Sequence, residues 1–122
     1  MRVSEIFASV EGEGSRQGYL ATFVRLHGCA LRCSWCDSRY ACEGDGDTEM
    51  PPDEVFARVK ELGNRRITLT GGEPLISKEA PALVMRLAES GFEVNIETSG
   101  SVDYTALFPE DVRERLGTNL MI

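Results

Sequence analysis

Alternating apolar and polar positions near the start of the chain predict two β-strands. Residues 2 to 10 alternate weakly, and residues 19 to 26 are rich in threonine, aromatic and β-branched side chains. The segment between them contains Glu11-Gly12-Glu13-Gly14, and two glycines this close together predict a turn.

The rest of the chain switches repeatedly between helical and strand-like spacing of apolar residues. Val55, Phe56, Val59 and Leu62 fall on one helical face. The pattern predicts a helix that begins at the prolines 51–52 and stops at Gly63, followed by a strand at 67–70. It then predicts a helix capped by Ser77 and ended by Gly91, and a strand at 92–97. The last predicted elements are a helix at 109–116 and the start of a strand at 118–122.

Strand–helix alternation of this kind predicts an α/β fold with parallel strands joined by right-handed crossovers. The chain has 122 residues, of which 42% are hydrophobic, enough for one domain with a modest core. The sequence shows no repeat and no internal boundary, so we expect a single domain over residues 1–122.

Charge and hydropathy exclude several partners. The net charge of −7 argues against a nucleic-acid-binding face, which needs clustered lysine and arginine. No apolar stretch approaches the ~18 residues of a membrane span, and no signal-peptide core follows Met1. We therefore expect a cytoplasmic protein that binds neither membranes nor nucleic acids and keeps its thiols reduced.

Cys29, Cys33 and Cys36 form the most informative motif, directly after the strand that ends at Leu26. Three closely spaced thiolates can each reach a different iron of a [4Fe–4S] cube, which leaves the fourth iron open to a small molecule. The alternative is zinc, with Cys42 or His27 as a fourth ligand, but the spacing is not that of a zinc ribbon. Cys42 lies outside the motif, and we interpret it as structural or incidental.

Two further predicted strands end in polar or glycine-rich loops. Gly71-Gly72-Glu73-Pro74 follows one strand, and Glu97-Thr98-Ser99 closes the next. The glycines could let the backbone approach a ligand, and a carboxylate or carbonyl there could accept from an amino group. A plain strand-to-helix turn is the alternative. Because ligands gather at the carboxyl ends of parallel strands, we expect these loops to share one site with the cysteines.

Five motifs occur together and in order between about Ile6 and Gly100. They are Glu11-Gly12-Glu13-Gly14, Phe23-Val24-Arg25-Leu26, Cys29 to Ser38, Thr68 to Leu75, and Glu97-Thr98-Ser99-Gly100. This set resembles the 7-carboxy-7-deazaguanine synthase family of radical S-adenosyl-L-methionine (SAM) enzymes, which act in the queuosine and 7-deazapurine pathway. The resemblance implies a partial (β/α) barrel of the radical SAM type, of which the chain would hold about the first half.

The resemblance also implies a reaction and its cofactors. The family is a carbon–nitrogen lyase that converts 6-carboxy-5,6,7,8-tetrahydropterin to 7-carboxy-7-deazaguanine with loss of ammonia. It uses a [4Fe–4S] cluster, SAM and Mg²⁺. The implied partners are the small-molecule pterin, a reductant such as flavodoxin and a second copy in a homodimer. No catalytic group beyond the cofactors is implied.

Site residues follow from the resemblance position by position. The cluster ligands would be Cys29, Cys33 and Cys36, and Ser38 would bind Mg²⁺. The SAM-binding residues would be Trp35, Cys36, Asp37, Gly72, Glu73, Thr98 and Ser99. The substrate-binding residues would be Val10, Glu11, Gly12, Glu13, Arg25 and Thr70. Arg25 would pair with the substrate carboxylate, and the residues from 10 to 13 would bind the pterin edge.

The chain departs from the family pattern in three ways. Glu11 stands where glutamine is usual, and Ser38 stands where threonine is common. The chain also lacks the Ser-x-Lys SAM contact that the family carries in its later strands. We therefore expect one of three arrangements: a domain that is incomplete at its carboxyl end, a domain whose missing half comes from elsewhere, or an unusually short enzyme whose open sheet edge is covered by a partner. The alternative functions are a short radical SAM activase that installs a glycyl radical, and a zinc-binding module or non-catalytic fragment.

Overall fold

The computed structural model describes all 122 residues and is organised around one six-stranded sheet. The strands are β1 (Arg2–Val10), β2 (Leu20–Leu26), β3 (Thr48–Glu49), β4 (Arg66–Gly71), β5 (Glu93–Ile96) and β6 (Leu120–Met121), and they lie in the order β3-β1-β2-β4-β5-β6. The helices are α1 (Pro52–Leu62), α2 (Ala80–Glu89), α3 (Tyr104–Leu107) and α4 (Glu110–Leu116). The predicted α/β class is therefore confirmed.

Four of the six strands run parallel, as predicted, and two do not. β2, β4, β5 and β6 form the parallel part of the sheet. β1 pairs antiparallel with β2, and the short β3, which was not predicted, pairs antiparallel with β1. The expectation of parallel strands is wrong for β1 because only residues 11–19 join it to β2. A parallel crossover needs a dozen residues or more.

The helices agree with their predicted positions except at two places. α1 ends at Gly63, which adopts the left-handed conformation (φ 73°) that closes a helix. α2 begins at Ala80, not after Ser77, because a short 3-10 turn over Pro74–Ile76 comes first. α3 was missed; it is capped by Asp103, whose side chain accepts from the backbone N–H of Thr105. None of the helices combines the length and the apolar character that crossing a bilayer requires.

The two faces of the sheet differ in character because strand side chains alternate. Alternate residues such as Val24, Leu69 and Val94 are fully buried and belong to the same apolar cluster as residues of α1 and α2. The opposite face bears Arg25 on β2 and Thr70 on β4, each of which directly follows one of these buried residues in the sequence. The helices thus fill one side, and a polar face remains for a site.

Candidate active site

The loop after β2 holds the three motif cysteines at the edge of the sheet. It is tied at its ends, because the Gly28 N–H donates to the Ala41 carbonyl at 2.7 Å. Cys29, Cys33 and Cys36 are free, half-buried thiols. All three line one cavity of about 340 Å³, which we call the cysteine cavity. The cysteines that sequence reasoning assigned to a cluster are therefore brought together.

The donor set of this cavity fits a cluster better than a single ion. No three metal-ligating side chains converge closely enough to hold one metal ion. A cube is wider than an ion and binds each thiolate through a separate iron, so its ligands need not meet at a point. His27, the alternative zinc ligand, turns its Nδ1 to the Ser4 hydroxyl at 3.0 Å and does not line the cavity. The geometry therefore gives no support to the zinc alternative.

Cys42 lies in the same cavity wall, which favours the structural interpretation of this residue over the incidental one. Its Sγ is 3.9 Å from Cys36 Sγ and 3.5 Å from the Ser38 carbonyl oxygen. Burial, followed by the hydrogen bond with Cys36, raises the pKa of the Cys42 thiol to about 11. Cys42 is thus a neutral thiol at physiological pH, in contact with a predicted cluster ligand.

The two glycines at the end of β4 are required by packing against the cysteine loop. A Cβ on Gly72 would stand 2.7 Å from Cys29 Cβ and would collide with the Gly28 carbonyl. A Cβ on Gly71 would collide with the backbone of Leu26. The next backbone N–H, of Glu73, donates to the Gly28 carbonyl at 2.9 Å. The end of β4 therefore lies directly on the start of the cysteine loop and positions Cys29.

Glu73 joins the ends of β4 and β5 through its buried carboxylate, which is 1% exposed. Its Oε1 accepts from the Leu75 N–H, and its Oε2 accepts from the N–H and hydroxyl of Ser99 at 2.9 and 2.6 Å. The Thr98 hydroxyl contacts both oxygens. These contacts occupy the lone pairs of the carboxylate. The Glu73 side chain is therefore committed to the loop after β5, and its assignment as a SAM ligand stays a prediction.

A second cavity of about 360 Å³ opens beside the first, and we call it the arginine cavity. Its wall includes Arg25 and Thr70, and it also contains the acidic residues Glu11 and Glu13. Glu11 is buried, and its carboxylate accepts a hydrogen bond from the Thr68 hydroxyl on β4. One arginine among several carboxylates can bind a ligand that carries both an acid group and N–H donors.

Arg25 is held in place by two neighbours on the rim. Its Nε donates to Glu5 Oε1 at 2.8 Å, and the Tyr40 hydroxyl donates to the same oxygen at 2.6 Å. The hydrogen bond from Tyr40, followed by that from Arg25, holds the pKa of the Glu5 carboxyl below its usual value. The terminal nitrogens of Arg25 make no hydrogen bond, so they are free to form a fork with a carboxylate.

The two cavities share one wall. Its residues are Asp37, Ser38, Gly71, Gly72 and Ser99. Within it the Ser38 hydroxyl donates to Asp37 Oδ1 at 2.7 Å, which places hydroxyl and carboxylate oxygens side by side. Oxygen ligands of this type are those that Mg²⁺ prefers.

Most of the predicted site residues line one cavity or the other. Those lining the cysteine cavity only are Cys29, Cys33, Cys36 and Trp35; those lining the arginine cavity only are Glu11, Gly12, Glu13, Arg25, Thr70 and Thr98. Val10 lies outside both, half-exposed on β1 opposite Leu20.

Sequence reasoning assigned no role to two residues of the arginine cavity, Phe23 and Glu97. Phe23 stacks on Phe7 with ring centroids 5.2 Å apart. Strand alternation could have found it, because Phe23 precedes Arg25 by two positions and so shares its face. Glu97 directly follows β5 and was expected at this edge as part of Glu97-Thr98-Ser99, but without a role of its own.

A comparison with family models matches residues 23–117 to the Radical SAM superfamily. The chain is 44% identical over 114 residues to a 7-carboxy-7-deazaguanine synthase of Koribacter versatilis, covering 92% of this chain and 49% of the relative. It is 43% identical over 103 residues to the synthase of Clostridium acetobutylicum, covering 83% of this chain and 47% of that one.

A solved structure shows the same fold. The crystal structure of QueE from Escherichia coli matches with a TM-score of 0.73 at 30% identity, covering 82% of this chain and 52% of that one. The chain spans about half the length of the curated relatives it matches.

Proposed function

Because this chain belongs to the radical SAM superfamily, we propose that it acts in 7-deazapurine (queuosine) biosynthesis, as a lyase that converts 6-carboxy-5,6,7,8-tetrahydropterin to 7-carboxy-7-deazaguanine with loss of ammonia. One observation carries the proposal: the cysteine cavity and the arginine cavity share a wall. A radical generated in the first would therefore arise beside a ligand held in the second. The names of the similar synthases support the same product.

The cysteine cavity is the proposed cofactor site. Membership of the superfamily implies a [4Fe–4S] cluster and SAM, which together supply one-electron chemistry when bound and reduced. In this chain Cys29, Cys33 and Cys36 would hold the cluster. The proposed SAM contacts that line this cavity are Trp35, Cys36, Asp37, Gly72 and Ser99. Of the two cavities, Thr98 lines only the arginine cavity and Glu73 lines neither, so for these two the role stays a prediction.

The arginine cavity is the proposed substrate site. The free terminal nitrogens of Arg25 suit the substrate carboxylate, because a planar guanidinium can donate two parallel hydrogen bonds. The carboxylates of Glu11 and Glu13 can accept from the N–H donors along the pterin edge, and Gly12 and Thr70 complete the wall. Val10 stays only a prediction for this role.

The shared wall is the proposed Mg²⁺ site. Ser38 reaches both cavities and lies against the Asp37 carboxylate. With Ser38→Ala we expect the magnesium stimulation of turnover to disappear, whereas Ser38→Thr, which keeps the hydroxyl, should retain it. Equal stimulation in all three proteins would contradict this assignment.

Anaerobic reconstitution followed by a product assay tests the function. The chain loaded with iron and sulfide should be brown, and with SAM, a reductant and the carboxy-tetrahydropterin it should form the deazaguanine seen by mass spectrometry. A colourless protein that contains zinc would contradict the cluster. SAM cleavage without the deazaguanine would favour the activase alternative, and a cluster without SAM cleavage would indicate a non-catalytic fragment.

Arg25→Ala separates substrate binding from cofactor binding. We expect it to abolish pterin turnover while iron content and SAM affinity stay at the unmodified level. Arg58→Ala is the matched control, because Arg58 is an exposed arginine of α1. Loss of SAM cleavage at normal iron content would show that Arg25 does not act through the substrate.

The partners belong to the same proposal. A flavodoxin-type reductant would deliver the electron, and a second copy of the chain would form a homodimer. The cytoplasm is the proposed compartment, since the thiolates must remain reduced. Sedimentation measurements test the dimer, and replacing dithionite with reduced flavodoxin in the product assay tests the electron donor.

A further inference from the structure

Cys42 is the one cysteine that the proposed function does not use, yet it lies against a cluster ligand. Its Sγ is 3.9 Å from Cys36 Sγ, within the range of a hydrogen bond between sulfur atoms. Both residues line the cysteine cavity, and both also line a smaller neighbouring cavity of about 150 Å³. The contact is therefore part of the cavity wall and not a chance approach at the surface.

The direction of this hydrogen bond follows from cluster binding. A cysteine that ligates iron does so as a thiolate and has no proton to donate. Cys42 must then be the donor, and Cys36 must be the acceptor. The Ser38 carbonyl oxygen, at 3.5 Å, competes for the same proton, and Cys29, a second predicted ligand, also lies within reach of the Cys42 thiol. A charged thiolate accepts more strongly than a neutral carbonyl, so binding of the cluster favours the bond to Cys36.

We propose that Cys42 is a positioning residue of the cluster site, whose thiol donates a hydrogen bond to the Cys36 thiolate and raises the reduction potential of the cluster. Reduction adds one negative charge that spreads onto the ligand sulfurs. A donor to one of those sulfurs therefore stabilises the reduced state more than the oxidised state. The inference rests on the proposed cluster but not on the proposed substrate.

Reconstituted cluster potentials test this directly. The full chain and its Cys42→Ala and Cys42→Ser variants would be loaded anaerobically, and the midpoint potential would be measured by dye-mediated titration without SAM. We expect equal iron content in all three. Cys42→Ala should lower the ratio of reduced to oxidised cluster about tenfold at a fixed potential, which equals a shift of about 59 mV to more negative values for one electron. Cys42→Ser keeps a donor, so its midpoint potential should return most of the way to that of the unmodified chain.

Two controls define the outcome. Ser34→Ala, an exposed change in the same loop, should leave the potential unchanged. Cys36→Ala should lose iron, because it removes a ligand. An unchanged midpoint potential in Cys42→Ala would overturn the inference. So would a loss of iron in Cys42→Ala as large as that in Cys36→Ala, because Cys42 would then be a cluster ligand. An unmodified chain that takes up no cluster would overturn the inference together with the cofactor proposal.

Discussion

Replacing Glu73 with glutamine should destabilise the protein even though the side chain keeps its size. The two carboxylate oxygens each receive a backbone N–H, from Leu75 on Oε1 and from Ser99 on Oε2. An amide has only one oxygen. Whichever way the glutamine is turned, its NH₂ group faces a fixed backbone donor, and that donor loses its acceptor.

The magnitude follows from the hydrogen bonds lost. A buried N–H left without an acceptor costs about 1–3 kcal/mol. The remaining bonds change from charged to neutral acceptors, which costs about 1 kcal/mol more. Removing a buried charge recovers part of its desolvation penalty. We therefore expect Glu73→Gln to lower the free energy of unfolding by about 2–3 kcal/mol.

Urea denaturation followed by far-UV circular dichroism measures this difference. Trp35 is a poor fluorescence probe because it is already 83% exposed in the folded state. Glu114→Gln is the matched control, since Glu114 is exposed on α4, and it should change stability by less than about 0.5 kcal/mol. A Glu73→Gln protein within about 0.5 kcal/mol of the unmodified chain would refute the fixed-donor argument.

Two further substitutions test the packing and the rim of the site. Gly72→Ala should lower the free energy of unfolding by about 1–3 kcal/mol and reduce iron incorporation, because the new Cβ displaces Cys29. Gly46→Ala is the control and should do neither, because the nearest atom to its new Cβ is 3.8 Å away. Normal iron content in Gly72→Ala would contradict the contact between residue 72 and Cys29. Tyr40→Phe should cost about 0.5–1 kcal/mol at pH 7. Since its hydroxyl lowers the folded-state pKa of Glu5, this cost should disappear as the pH falls below about 4, and a cost independent of pH between 3 and 7 would contradict the bond.

Periodicity predicted most elements of this fold, because each signal was local. The apolar stripe of α1 and its stop at Gly63 depend on residues within a few turns of one another. The direction of β1 was predicted wrongly because a strand pattern does not encode its pairing partner. The start of α2 was also wrong, because Ser77 is a suitable cap by residue type but follows a 3-10 turn.

The site was predictable in its ligand types but not in its contacts. The spacing of Cys29, Cys33 and Cys36 predicted three clustered thiols without any tertiary information, and the structure brings them to one cavity. A second reason for a glycine at position 72 could not be predicted, because this packing requirement comes from a backbone segment more than 40 positions earlier in the chain. The same holds for Glu73, whose partners Thr98 and Ser99 lie on the next strand end. Contacts between strand ends depend on register, which the sequence pattern does not display.

One loop contributes residues to both cavities and connects them structurally. The segment from Cys29 to Cys42 supplies the motif thiols, and its Asp37 and Ser38 form part of the shared wall. From the same segment Tyr40 reaches Glu5, which in turn holds Arg25. A displacement of this loop therefore moves the thiols and the support of the guanidinium together. We therefore expect a ligand bound in one cavity to change the affinity of the other cavity, and by linkage the effect should be equal in both directions.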